Sequence, residues 1–359
     1  MAAAGKLCDG IACDPKLYNK TTNPDQYART LRLHTLSVCR TSRLLNLTLT
    51  GWVAGLSLSL SLSLSLSLSL SLSLSLSPSR SCRWRRFILR HRAQVLEVLT
   101  KYGEICEASF DMDFPAIADE DMEDTFMLAR QLAPNTLFRG RGMGGKREDG
   151  GYGDYDTPEE TFPDKPIPGN WQVIYHGTNF MSYDPDPSHY VNGSFIIWHL
   201  VDVVSKGGLM QIGYGPDRDG EFHPLAVKAL EYAGDWMEVN GEAIYATRSF
   251  PEHWNDTKSE YVRYTRSKDN TTVYAIALEN FNGRSKGPAK IGETLTLSCV
   301  TPEPGSEIYL LGDNFGGAPT PLTWTTSGGD TTITVPAAMT ANLPGPGYAF
   351  KIKGQPAKC

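Results

Sequence analysis

The chain has 359 residues, 40% of them hydrophobic, with 34 Lys+Arg against 40 Asp+Glu for a formal net charge of −6. That length accommodates two or three domains with packed cores, and the mildly acidic balance excludes a nucleic-acid binder built on a basic face. The seven cysteines (8, 13, 39, 82, 106, 299 and 359) form no C-x-x-C pair and lack zinc-ligand spacing, so they read as buried thiols with at most one bridge.

The start, MAAAGKLCDG, lacks the charged segment followed by an apolar run that a secretory signal requires. Sequons begin at Asn19, Asn46, Asn192, Asn255 and Asn270, and they permit glycosylation only in a secreted chain. Residues 56–77 alternate leucine and serine without a break. A single strand of that length far exceeds the usual one. As a helix it spreads leucine all round with no polar face, and a membrane span needs about 20 mostly apolar residues, whereas half of these are serine. A CT dinucleotide repeat translates as this alternation, so residues 30–86 read as a low-complexity insert of translated intron. Joining Arg29 to Phe87 places Tyr27, Phe87, Ile88, Val95, Val98, Leu99 and Tyr102 at helical spacing on one face. Asn23 and Pro24 start that helix and Gly103 stops it.

Next comes EICEASF (104–110), a short buried strand. Residues 119–133 form a helix whose acidic first turn suits the helix dipole. TLFRGRG (136–142) is a strand entering a glycine-rich loop that runs to about Gly153, and WQVIYH (171–176) is another strand. FIIWHLVDVVSKGG (195–208) is a helix, LMQIGYG (209–215) a strand, and residues 225–241 a helix with Pro224 in its first turn. This order fits parallel α/β units, for which a closed barrel is one natural arrangement and an open sheet another. From about Arg248 the pattern changes to β-rich runs (EYVRYTR, TTVYAIAL, ETLTLSCV, EIYLLG, TTITVP, YAFKIKG) between Gly, Pro, Asn and Asp turns, the signature of an antiparallel sandwich.

Three stretches carry a family resemblance. YGEICEASFDMDF (102–114) is similar to a strand ending in an aspartate, written YGPI…WFDG. RGRGMGG…GDYDTPEE (139–160) is similar to a strand ending in arginine and a loop of G-D-[FY]-x-T-P-E type. The most specific, residues 200–248, resembles LVDVVSKGGNLLLNIGPxxDG…GxWLxxNGEAIYGTR. Together they resemble the α-L-fucosidases of glycoside hydrolase family 29. The resemblance implies an α/β fold, a partial (β/α)8 TIM-type barrel followed by a C-terminal antiparallel β-sandwich. The segments are then 1–29 as the start of the retained barrel fragment, 30–86 as the insert, 87–248 as the C-terminal part of the barrel and 249–359 as the sandwich.

It also implies a retaining exo-glycosidase acting on terminal α-L-fucose of glycans, without cofactor or metal, extracellular or lysosomal/vacuolar in the full-length parent, and with no stable membrane anchor. A retaining glycosidase uses two carboxyl groups about 5–5.5 Å apart, one as nucleophile and one as acid/base. The resemblance carries the nucleophile onto Asp111, with Asp113 as its neighbour, and the acid/base onto Glu159, with Glu160 and Asp154 as alternatives. Arg141 matches the sugar-binding arginine. Trp171 either lines the sugar site or packs in the core. His176, His199 and His223 match no catalytic pattern. His199 reads as packing, His223 as a loop residue before a helix, and Gly213 and Gly215 as turn residues. Met112 and Ser109 depart from the family's glycine and tryptophan. The family's H-H-D-G-F-type motif is not found, so about three barrel strands are expected to be missing and the chain to fold poorly or lack activity. The alternative is a non-catalytic carbohydrate-binding or degenerate glycosidase fragment.

Overall fold

The computed structural model describes residues 80–108, 119–139, 153–250, 252–280, 288, 291–313, 319–341 and 343–356. Asp111, Asp113 and Arg141 lie outside them, as do Tyr27 and the leucine–serine tract. The chain divides into two compact units, Met1–Asp154 and Tyr155–Cys359.

In the first unit, helix α1 (Arg80–Lys101) packs on α2 (Asp119–Leu132). Strand β1 (Glu107–Ala108) pairs in parallel with β2 (Leu137–Phe138). Val95, Leu99, Ala108, Phe126, Ala129 and Phe138 form the core. α1 runs without a break across the 86–87 junction drawn from sequence. Ile88, Val95, Leu96 and Leu99 are buried, whereas Phe87, Val98 and Tyr102 are exposed. The buried stripe therefore includes Leu96 and excludes three residues of the expected face. Phe87 and Val98 each sit one residue, about 100° of helix rotation, away from Ile88 and Leu99, which turns them to solvent.

The second unit opens with an extended segment at 155–160. Gln172 N–H donates to the Asp156 carbonyl (2.9 Å) and Ile174 N–H to the Pro158 carbonyl (3.0 Å), with parallel bridges Asp156↔Trp171 and Glu159↔Ile174. Strand β3 (Gln172–His176) pairs in parallel with β4 (Leu209–Gly213). Between them lies α3 (Gly193–Ser205), capped by Asn192, whose side chain accepts from Phe195 N–H. After β4 comes α4 (Pro224–Asn240). The residues read from sequence as part of a loop thus extend the parallel ladder, and DYDTPE, polar nearly throughout, lacks the period-2 apolar pattern that would reveal it.

The C-terminal region holds two antiparallel sheets. The larger contains β5 (Thr247–Ser249), β6 (Val262–Ser267), β7 (Thr272–Leu278), β10 (Ile308–Leu310), β11 (Pro321–Leu322) and β14 (Gly347–Pro356) in the order β11-β10-β14-β7-β6-β5, with β9 (Val300–Pro302) on the far end of β14. The smaller runs β12 (Trp324–Ser327), β13 (Asp330–Thr334), β8 (Thr294–Leu297). Their facing sides share one core, including Tyr264, Ala275, Phe350 and Ile352 from one sheet and Leu295, Leu297 and Ile333 from the other. The opposite face of the larger sheet (Tyr274, Ile276, Leu278, Ala349) packs on Ile197 and Val201 of α3 and Trp236 of α4. A strand buried on both faces cannot alternate in polarity, which is why β7 reads TVYAIAL.

A buried charge cluster joins α3 to this sheet. Asp202 takes Lys206 Nζ at 2.6 Å and Arg263 Nε at 2.7 Å, and all three residues are buried. Both cations lie over the Trp254 ring, at 4.5 and 4.8 Å. Burial holds the Lys206 ammonium below its usual range although Asp202 pulls the other way. Cys299 is disulfide-bonded. Cys106, expected to be a buried thiol, is free and exposed, because it sits on the turn into the two-residue strand β1, where little covers it.

Candidate active site

Residues 155–160, β3 and β4 end together, and their tips carry Glu159 and Glu160, His176, and Gly213. In a β/α architecture the C-terminal ends of parallel strands bear the chemistry. Side chains alternate across the ladder. Trp171, Val173 and Tyr175 face the helices, with Val203 packed against Trp171 and Val173, and the Tyr175 ring lies 5.3 Å from Phe195. Gln172, Ile174 and His176 face the other way, with Leu209 and Gln211 of β4. The Gln172 amide donates to Gln211 at 3.4 Å, and Leu209 is 60% exposed.

Glu159 pairs in register with Ile174 and so belongs to this second face, where it is exposed. Glu160 does something different. Its backbone takes φ +53°, a left-handed conformation that side chains other than glycine rarely adopt. There the ladder ends, and Glu160 Oε1 receives His176 N–H at 2.6 Å, the donor next in series after Gln172 and Ile174. His176 Nδ1 approaches the same oxygen at 2.8 Å. Asp154, the other alternative carboxylate, accepts Phe138 N–H at 2.8 Å and pairs with Arg130, whose guanidinium covers Phe126 and Phe138 at 4.8 and 5.1 Å. It anchors β2.

Trp171 is 2% exposed, with its ring against Gly208, so of the two roles read from sequence the structure places it in the core. His199 is buried and stacked on Phe162, with centroids 3.7 Å apart. His223 is the N-cap of α4, its Nδ1 accepting from Leu225 N–H at 3.2 Å. Asp111, Asp113 and Arg141, on which the nucleophile and sugar-binding readings fall, are outside the described residues.

The loops that leave β3 and β4 are fixed against each other. Tyr190 stacks on Tyr214 (6.1 Å, 4°) and on His223 (4.4 Å). Its hydroxyl donates to the Asp184 carbonyl at 2.7 Å, and buried Asp184 holds His189 Nδ1 at 2.8 Å. Burial pushes the Tyr214 phenol up to about 12, with Tyr190 adding to it. A Cβ on Gly215 would fall 2.3 Å from the Ser182 carbonyl carbon, and one on Gly177 2.0 Å from Tyr214 Cε1. Both positions therefore require glycine for this approach. Among the described residues no group of His, Cys, Asp or Glu side chains is arranged to hold a metal, and no helix is long and apolar enough to cross a membrane.

Comparison with known proteins places these features. A Paenibacillus thiaminolyticus α-L-fucosidase isoenzyme aligns with TM-score 0.60 at 24% identity, covering 75% of this chain and 62% of that one. A Bacteroides thetaiotaomicron α-L-fucosidase trapped as a covalent intermediate aligns with TM-score 0.61 at 23% identity, covering 77% and 63%. The fold is therefore of the kind found in glycoside hydrolases of this type. In sequence, the chain is 33% identical over 156 residues to a Branchiostoma floridae α-L-fucosidase, covering 43% of this chain and 31% of that protein. It is 30% identical over 195 residues to the plasma α-L-fucosidase of Rattus norvegicus, covering 52% and 38%. The profile of the family described as Alpha-L-fucosidase matches residues 54–242, more than half of the chain, and the chain belongs to the α-L-fucosidase family. It spans about a third of the length of these two curated relatives.

Proposed function

We propose that this protein supplies the C-terminal part of a retaining exo-glycosidase that removes terminal α-L-fucose from glycans. The observation that carries the reading is the presentation of Glu159 on the open face of a parallel ladder, at its C-terminal tips, in a chain of the α-L-fucosidase family. In this reading residues 155–160, β3 and β4 are strands of a (β/α)8-type barrel that continues into the sandwich. Glu159 protonates the glycosidic oxygen as the bond to fucose breaks, then takes a proton from water in the second step. Asp111, assigned from its motif, attacks the anomeric carbon and forms the glycosyl-enzyme, which that water resolves. Arg141 binds the sugar. None of these steps needs a cofactor or metal, and the working place is extracellular or lysosomal/vacuolar.

Incubation with a panel of nitrophenyl glycosides tests this. This reading requires release of nitrophenol from the α-L-fucoside, lost in Asp111→Gly, and such release would overturn the expectation that the missing barrel strands leave the chain inactive. Turnover of another glycoside in preference to the α-L-fucoside would overturn the specificity. The short span relative to the curated relatives favours one second reading, a sugar-binding unit without turnover. It predicts that L-fucose binds in calorimetry while every glycoside stays intact.

A further inference from the structure

The reading of the site leaves one pair of side chains unused, Glu160 and His176. Alternate N–H groups of β3 donate to main-chain carbonyls two residues apart, Gln172 to Asp156 and Ile174 to Pro158. The next donor, His176 N–H, goes instead to the Glu160 carboxylate at 2.6 Å. The left-handed φ of +53° at Glu160 turns the main chain out of the ladder and lets the side chain take the place of its carbonyl. The same oxygen holds His176 Nδ1 at 2.8 Å.

That arrangement fixes the imidazole. In the neutral imidazole the Glu160 carboxylate accepts from Nδ1–H, which leaves the lone pair on Nε2. Among the described residues no group engages Nε2, and the side chain is 20% exposed. The ring stands on the face opposite Tyr175, the face that also carries Glu159. A histidine oriented by a carboxylate through one nitrogen presents the other as a fixed acceptor, and a sugar hydroxyl is the donor such an acceptor suits.

We propose that His176 is a substrate-binding residue whose Nε2 accepts a hydrogen bond from a pyranose hydroxyl, and that Glu160 is its positioning residue. This rests on the glycosidase reading above. It separates two adjacent carboxylates by task, Glu159 toward the reacting bond and Glu160 toward the histidine.

The test uses the full chain with 15N-labelled histidine, titrated with L-fucose, together with kinetics on the nitrophenyl α-L-fucoside. L-fucose is expected to shift the His176 Nε2 resonance in the unsubstituted protein, a readout that needs no turnover and no variant to fold. His176→Phe is expected to raise KM about tenfold or more with a smaller change in kcat, the mark of lost ground-state binding. His176→Gln, whose amide oxygen can accept, is expected to recover part of that loss. Glu160→Gln keeps an acceptor for His176 N–H but loses the charge that holds Nδ1–H, so it is expected to raise KM by a smaller factor. An unmoved Nε2 resonance and unchanged KM in His176→Phe, with turnover abolished in Glu159→Gln, would overturn this inference and leave the glycosidase reading standing. A shifted Nε2 without any glycoside turnover would support the binding role and count against the enzyme. Neither shift nor turnover would remove both.

Discussion

At the scale of single residues, the two neighbouring glutamates show how little spacing alone says about a carboxylate. Both stand in T-P-E-E and both are exposed. Glu160 is tied to His176 by two contacts to one oxygen, whereas Glu159 keeps the ladder register and faces away from the helices. If Glu159 is the general acid/base, Glu159→Gln is expected to lower kcat/KM on the nitrophenyl α-L-fucoside about 10²–10⁴-fold, with an unchanged circular dichroism spectrum. Glu160→Gln should cost far less. Equal losses in the two variants would show that the carboxylates share one role. Glu159 as a candidate was legible from the motif. The roles of Glu160 and His176 were not, because they depend on a positive φ and a side chain replacing a carbonyl, and neither leaves a pattern in the residues. Trp171 illustrates the opposite case. Its type suits a sugar platform or a core equally, and only its packing against Gly208 decides.

At the scale of elements, the strongly periodic segments were readable and the short or two-sided ones were not. α2, α3, α4, β3 and β4 fall within three residues of the runs that sequence suggests, because signals such as Pro224 in the first turn of α4 are local chemistry. The segment 155–160 was hidden because it is polar nearly throughout and shows no period-2 apolar pattern, and the expected face of α1 was too wide, since it took in Phe87 beside Ile88 and Val98 beside Leu99, about 100° apart. The match at 200–248, read as mainly structural, has a physical basis in Asp202 and Lys206, which meet Arg263 of β6 in the buried cluster. Taking charges out of water is expensive, and removing one partner leaves the others uncompensated. Asp202→Ala leaves two buried cations facing each other over Trp254, and it is expected to destabilise the protein by about 3–5 kcal/mol. Urea denaturation checks this through a lower midpoint. A loss under about 1 kcal/mol would mean that water reaches the cluster.

At the scale of the molecule, one buried carboxylate, Asp256, couples the sandwich to pH. Burial alone would raise Asp256, but donors from Ser259 N–H, Tyr264 Oη–H, Ser298 N–H and Lys258 N–H outweigh it and hold the carboxyl below its usual range. A carboxyl depressed in the folded state contributes stability that is fully present above the unfolded value near 3.8 and is lost as pH falls through the folded value. Acid unfolding is therefore expected to steepen below that point. In Asp256→Asn the acid limb flattens while stability at neutral pH drops by about 1.5–3 kcal/mol, the worth of hydrogen bonds to a charged group. An unchanged acid limb in that variant would assign the acid sensitivity to other carboxylates.

The larger sheet sets the cooperativity of the second unit, since it is buried on both faces. Tyr348, Phe350 and Ile352 point into the core between the sheets, while Ala349, between Tyr348 and Phe350, points to the helices. Trp236 of α4 donates its indole N–H to the Gly347 carbonyl at 2.7 Å, so the helix is hydrogen-bonded to the strand whose other face builds the sandwich. The helices cannot keep their buried face once β14 leaves. Phe350→Ala is expected to cost about 3–5 kcal/mol, although Phe350 belongs to the core between the sheets and not to the one shared with the helices. The consequence is specific: transitions followed by fluorescence at Trp236, on the helix side, and at Trp324, on the smaller sheet, should move together to lower denaturant in this variant and remain coincident, the mark of one cooperative unit. Single-tryptophan proteins report each site separately. If the Trp324 transition shifts while the Trp236 transition stays in place, the helices hold without β14, and the shared sheet is a contact surface between two folding units instead of the element that makes them one.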